Sequence, residues 1–148
     1  MNDLRWKAPE EPKPWRDVFE AKSFAPLCAQ KCHEPCGDIS EDCLYLNVFT
    51  PTSTLTQGRK TGVGVWFHGG AFAWGGGSSP LYDGRYVAPE MDMVIVTVNY
   101  RLSAFGFLSL DKREEGQPTA SGFEICGWIF WPREFLVQFQ FLENRFSR

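Results

Sequence analysis

The chain has 148 residues, of which 43% are hydrophobic and 22% charged. This composition suits one folded globular domain and excludes a disordered or fibrous chain. A formal net charge of −3 with no Lys/Arg run argues against a nucleic-acid partner or an anionic membrane surface held by charge, and no stretch approaches the roughly 20 apolar residues of a membrane span.

The opening segment, LRWKAPEEPKPWRDVFEAKSF (Leu4 to Phe24), is rich in proline and tryptophan. It reads as an irregular segment lying over a core, and MNDLRWKAPEEPKPW (Met1 to Trp15) lacks the basic, apolar and small-residue zones of a signal peptide. Four of the five cysteines then crowd together at Cys28, Cys32, Cys36 and Cys43, with Cys126 apart. That clustering favours disulfides and an oxidising compartment, so the two cues on localisation point in opposite directions. A zinc site drawing on Cys28, Cys32, His33, Cys36 and Cys43 ranks lower, because no paired CxxC is present and the spacings match no common finger. No metal and no cofactor are expected.

LYLNVFTP (Leu44 to Pro51) alternates apolar residues and stops at proline, which predicts a strand. TSTLTQGRKTG is polar and predicts an exposed loop. Two β-branched runs follow, GVGVWF and MVIVTVNY (Met93 to Tyr100), joined through a glycine turn and a short helix around GRYVAPEM. Two nearly continuous apolar strands with a crossover between them predict a parallel, right-handed βαβ unit in an α/β sheet, and Pro89 limits the crossover helix to about two turns. Beyond Lys112 comes a polar, breaker-rich linker and then an aromatic segment. There Phe135, Val137, Phe139 and Phe141 fit a period of two, whereas Phe135, Leu136, Phe139, Leu142 and Phe146 fit a helical face.

SEDCLYLNVFTP, VWFHGGAFAWGGG, YDG and NYRLSAFGFLSL, in that order and after an amino-terminal LRW.AP....PW pattern, resemble the type-B carboxylesterase and cholinesterase family of α/β-hydrolases. The resemblance runs from about Leu4 to Leu110. It implies a partial, incomplete α/β-hydrolase fold made of the amino-terminal strands of its central sheet. Residues 1–111 are taken as that part of the domain and 112–148 as a divergent aromatic tail. By resemblance Gly70 and Ala71 supply two oxyanion-hole N–H donors, with Gly69 completing the turn and His68 shaping it, and the third donor follows the nucleophile. The chemistry agrees. Ester hydrolysis passes through a tetrahedral oxyanion, a single preorganised donor is worth roughly 10²–10³ in rate, and glycines let backbone amides approach a reacting atom. The GGG cluster at Gly75 to Gly77 lacks the P-loop lysine and spacing and reads as a flexible loop beside the gorge.

The same resemblance implies a disulfide between Cys28 and Cys43, worth about 3 kcal/mol in the chain-entropy model, and a buried structural ion pair between Arg5 and Glu41. It also implies that Arg101 is held by an aspartate in a GNxGLxDQ segment. No such segment is present here, and removing one member of a buried pair costs about 3–5 kcal/mol. Ser103 stands where the family's YRLG has glycine, a departure expected to strain a turn.

A serine hydrolase also needs a nucleophile, a base and an orienting acid. G-x-S-x-G occurs nowhere in these 148 residues, and the two histidines are His33 and His68. An improvised triad of Ser78 or Ser79 with His68 and Asp83 has proximity in sequence but no orientation. The family implies carboxylic ester hydrolysis through an acyl-enzyme by the complete protein, with a small-molecule carboxylic ester as substrate. This chain is expected to be inactive by itself. The competing expectations are a non-catalytic binding or adhesion protein and a non-functional truncated product. The change of character after Leu110 reads as a frameshift, retained intron or alternative exon, against a specialised tail. An apolar sheet edge left open by missing strands is expected to take a protein partner or a second copy. Family members are often secreted or lumenal.

Overall fold

The computed structural model describes residues 5–7, 10, 14–31, 37–108 and 127–131. The described residues form two sheets. In the smaller, β1 (Leu27–Cys28) lies parallel to β2 (Ile39–Ser40). The larger has the order β3-β5-β4-β6, and its centre is β4 (Val63–Phe67) beside β5 (Val94–Val98) in parallel register, from Val63↔Val94 to Phe67↔Val98.

The β-branched content of VGVWF and VIVTV suits a pleated strand. Alternation places Val94 and Val96 on one face and Ile95 and Thr97 on the other, yet all four are buried. Burial on both faces explains why these strands read as near-continuous apolar runs. Val63, Val65, Val94 and Val96 form the main core, with Val48, Phe67 and Val98 packed against it. Thr97 keeps its hydroxyl satisfied by accepting from Asn47 Nδ2 at 3.0 Å. Asn47 belongs to β3 (Leu46–Phe49), which runs antiparallel to β5.

The crossover between β4 and β5 contains α2 (Gly84–Met91). Asp83 caps it by accepting from Arg85 N at 2.9 Å, and Asp92 ends it in the left-handed region at φ 51°. Pro89 lies within the helix, which stops two residues later, after about two turns as expected. Gly84 admits the Phe49 ring at a point where a Cβ would overlap it, and this close approach seats α2 on β3.

Two features differ from the sequence expectations. TSTLTQ, expected as a loop, forms α1 (Thr52–Gln57). Pro51 O receives Thr54 N and Leu55 N at its start, Gly58 closes it in the left-handed conformation at φ 58°, and Thr54 is buried. The helix therefore rests on its end geometry and one buried threonine, not on an apolar stripe. The second difference lies in the tail. β6 (Gly127–Trp131) pairs antiparallel with β4, from Val63↔Trp131 to Phe67↔Gly127. The flank of β4 away from β5 is thus taken by residues 127–131 of the same chain. Among the described residues the sheet ends at β3 and β6.

The two periodic readings over Phe135 to Phe146 fall outside the described residues, as do Cys32, His33, Cys36 and Cys126. No helix among the described residues is long and apolar enough to cross a membrane.

Candidate functional site: the turn after the second core strand

At the end of β4 the chain enters His68-Gly69-Gly70-Ala71. Gly70 has φ 126°, and Ala71 and Phe72 follow in the left-handed region at 51° and 57°. The turn closes on Gly70 O, which accepts from Ala73 N at 3.0 Å and Trp74 N at 3.2 Å. A Cβ at position 70 would overlap Trp74 O, so glycine is required there by contact as well as by φ. The amide hydrogens of Gly69, Gly70 and Ala71 have no acceptor among the described residues. Successive backbone donors without an internal partner are an uncommon arrangement, and they are what an oxyanion needs.

The turn is braced from below. His68 is only 1% exposed, and its Nδ1 lies 2.9 Å from Gly69 O. A carbonyl can only accept, so this ring nitrogen carries the proton. Burial pushes His68 below the ordinary imidazole range, and the hydrogen bond to Gly69 opposes that shift only in part. The imidazole stacks on Tyr100 at 4.3 Å with the planes 14° apart, and Tyr100 OH donates to His68 O at 2.5 Å. On the far side, Phe72 O accepts from Ser103 N at 2.7 Å, and the Phe72 ring packs against Phe107 at 4.7 Å. Ser103 opens α3 (Ser103–Phe107) with φ 50°. A serine therefore carries the backbone strain at the position where glycine was expected.

The second glycine cluster is not the loose loop the sequence suggested. Gly75 N donates to Gln30 Oε1 and Gly75 O accepts from Gln30 Nε2, both at 2.8 Å. Gly77 N donates to Asn99 Oδ1 at 2.7 Å, and Gly76 O accepts from Tyr82 OH at 2.6 Å. A Cβ on Gly76 would overlap Leu27, so glycine here allows close packing of backbone on side chain. Nothing in the motif marked Gln30. Its pairing partner is 45 residues away in sequence, and a side-chain amide leaves no periodic signal.

The improvised triad is not assembled. Ser79 Oγ accepts from Leu81 N, Asp83 is held by Arg85, and His68 Nδ1 is directed at Gly69 O. Pairing with Arg85 holds the Asp83 carboxyl below the usual range.

The Cys28–Cys43 disulfide is formed, and both sulfurs are buried with Leu102 against Tyr100. Arg5 Nε donates to Glu41 Oε2 at 2.9 Å, and a second contact joins Nη2 to Oε1. The pair is not buried as expected: its side chains are 37% and 30% exposed, so solvent screens it. The hydrogen bond from Arg5 holds the Glu41 carboxyl below its ordinary range, against desolvation, with the charges of Arg5 and Arg101 adding to the effect. Arg101 Nη1 donates to Lys7 O at 2.5 Å. The cation expected to be orphaned by the missing aspartate is therefore only partly buried, bonded to a backbone carbonyl and felt electrostatically by Glu41, so it does not carry the full cost of a buried unpaired charge. Arg5, Glu41, Arg101, Leu102 and Phe105 line an open cavity of about 370 Å³ on this face. Among the described residues no cluster of His, Cys, Asp and Glu could hold a metal ion.

Residues 1–117 match the carboxylesterase family. The chain belongs to that family. This carboxylesterase-family chain is 40% identical over 146 residues to the para-nitrobenzyl esterase of Bacillus subtilis, covering 94% of this chain and 29% of that protein. It is also 40% identical over 127 residues to the acetylcholinesterase of Electrophorus electricus, covering 78% of this chain and 20% of that protein. Among solved structures, a para-nitrobenzyl esterase superposes with a TM-score of 0.65 at 45% identity over 72% of this chain and 22% of its own. A carboxylesterase of Geobacillus stearothermophilus gives 0.63 at 47% identity, over 72% and 21%. The fold is thus an incomplete α/β-hydrolase sheet, and the chain spans about a fifth to three-tenths of these relatives.

Proposed function

We propose that this chain carries the oxyanion-stabilising part of a carboxylic ester hydrolase. Its nucleophilic serine, general base and orienting acid would lie outside these 148 residues. The observation that supports this reading is the set of amides at Gly69, Gly70 and Ala71 with no acceptor among the described residues, held over a buried His68 whose pKa burial lowers. When a serine attacks an ester carbonyl, the carbonyl oxygen becomes an oxyanion. Gly70 N–H and Ala71 N–H would donate to it, with Gly69 fixing the turn. Amides already free and oriented need not break other hydrogen bonds as charge develops, which is why preorganised donors lower the barrier. The oxyanion would collapse with loss of the alcohol to give the acyl-enzyme, and water would attack that ester through a second oxyanion held by the same donors, releasing the carboxylic acid and the free serine. The substrate would be a small-molecule carboxylic ester.

Fluorophosphonate labelling tests both halves of the proposal. The 148-residue chain should take up no serine-linked label, whereas the protein isolated from its native source should be labelled. Labelling of the 148-residue chain would overturn the assignment of the nucleophile to sequence outside it. An unlabelled native protein that hydrolyses no p-nitrophenyl ester would overturn the esterase reading.

A further inference from the structure

We infer that Gln30 is a positioning residue for the oxyanion turn, acting through Gly75; the inference rests on the proposed role of that turn. The Gln30 carboxamide forms two bonds with one backbone residue, donating to Gly75 O and accepting from Gly75 N, each at 2.8 Å. It imitates the exchange of two hydrogen bonds between facing residues of an antiparallel ladder. The remaining Nε2 hydrogen goes to Cys28 O at 3.0 Å. Both donors and the carbonyl of the side chain are thus engaged, and a reversed amide would set NH₂ against the Gly75 N–H. Cys28, two residues earlier, is fixed in the core by its disulfide to Cys43, so the clamp has a rigid base.

The other side of Gly75 bears on the turn. It has φ 117°, and a Cβ there would overlap the His68 imidazole at Nδ1 and come within 2.7 Å of Gly69 O. Gly75 is therefore the wall behind the two residues that begin the turn, and Gln30 sets where that wall stands. Without Gln30, a part-buried N–H and C=O lose their partners and His68 and Gly69 lose their support. Gly70 and Ala71 follow directly along the chain, so their amides would shift. Displacements of about 1 Å at such donors are enough to cost about 10²-fold in rate.

The test follows the Gly70, Ala71 and Gly75 amides by ¹⁵N NMR and hydrogen exchange in the 148-residue chain. It compares wild type, Gln30→Met and Gln30→Glu. In Gln30→Met the Gly75 amide should exchange about tenfold faster, the loss expected for about one net hydrogen bond, and the Gly70 and Ala71 signals should move. In Gln30→Glu at pH 7 the carboxylate still accepts from Gly75 N–H but donates nothing and faces Gly75 O and Cys28 O, so the Gly75 wall and with it the Gly70 and Ala71 signals should move. At about pH 4, near the ordinary glutamate pKa, the protonated acid regains an O–H for Gly75 O while its C=O takes Gly75 N–H. The signals should then return toward those of wild type at the same pH. A side chain that only filled space would show no such return. Unmoved Gly70 and Ala71 signals in Gln30→Met, or pH-indifferent signals in Gln30→Glu, would overturn the inference. If Gln30→Met does not fold, the pH response of Gln30→Glu decides alone. The readout is amide position, so it is separate from the labelling test: failure of the latter removes the oxyanion role and leaves the clamp standing.

Discussion

The two glycine clusters that flank Ala71–Trp74 use the lack of a Cβ in opposite ways. Gly69 and Gly70 leave their amides without an acceptor among the described residues, and Gly70 takes a φ that closes the turn on Trp74. Gly75 and Gly77 commit their amides to Gln30 and Asn99, while Gly76 lets Leu27 pack on bare backbone. The first cluster keeps donors available and the second holds them in place. A donor array left open to a ligand needs a neighbour whose own hydrogen bonds are fully used, because unpaired backbone on both sides would leave nothing to define its geometry.

The strongest way to break this comparison is to add a methyl group to each cluster. Gly70→Ala and Gly75→Ala both combine left-handed strain with overlap on fixed atoms, so each should cost roughly 4 kcal/mol, as strain plus overpacking. Urea denaturation measures this, and a loss below about 1 kcal/mol, the range of an ordinary surface substitution, would contradict the packing described. The next effect is smaller. Reducing Cys28–Cys43, which spans a sequence separation of 15, should cost about 3 kcal/mol. Because Gln30 stands beside Cys28, reduction should raise exchange at Gly75 well before the amides of β5 respond. Urea midpoints and hydrogen exchange with and without reductant check both points; equal acceleration at Gly75 and β5 would show that the clamp has no local anchor.

The smallest effect is a pH dependence. Burial holds the folded-state pKa of His68 below its ordinary value, so the unfolded chain takes up the proton first. Stability should be fully present above about pH 6.5, the ordinary histidine pKa, and should fall as pH drops from there toward the folded pKa. In His68→Gln that part of the slope should vanish. A urea midpoint that falls equally in both proteins between pH 7 and pH 5 would place the titrating group elsewhere.

What was legible in the sequence followed from strong local signals. β4, β5 and α2 came from β-branched runs and a Pro-limited crossover, and the family motifs led to the Cys28–Cys43 disulfide and the Arg5–Glu41 pair. α1 was hidden because TSTLTQ has no apolar stripe, and its support is a capping Gly58 and the buried Thr54. β6 was hidden because GWIFW is a short, uniformly apolar run with neither a period of two nor a helical face, whereas the periodic residues lie beyond Pro132. Exposure of the Arg5–Glu41 pair, the Lys7 carbonyl that receives Arg101 and the reach of Gln30 to Gly75 are all long-range, set by how separate segments lie together. No spacing rule within one segment encodes them.

The pairing of β6 with β4 also has a combinatorial side. A strand flank forms one ladder at a time, so the sheet has a fixed valence: β4 is saturated by β5 and β6, and β3 and β6 each keep one free side among the described residues. Any strand from another source that is to lie directly against β4 must first displace residues 127–131. Growth of the sheet next to the His68–Ala71 turn is therefore an exchange reaction, whereas growth at either outer strand is simple addition.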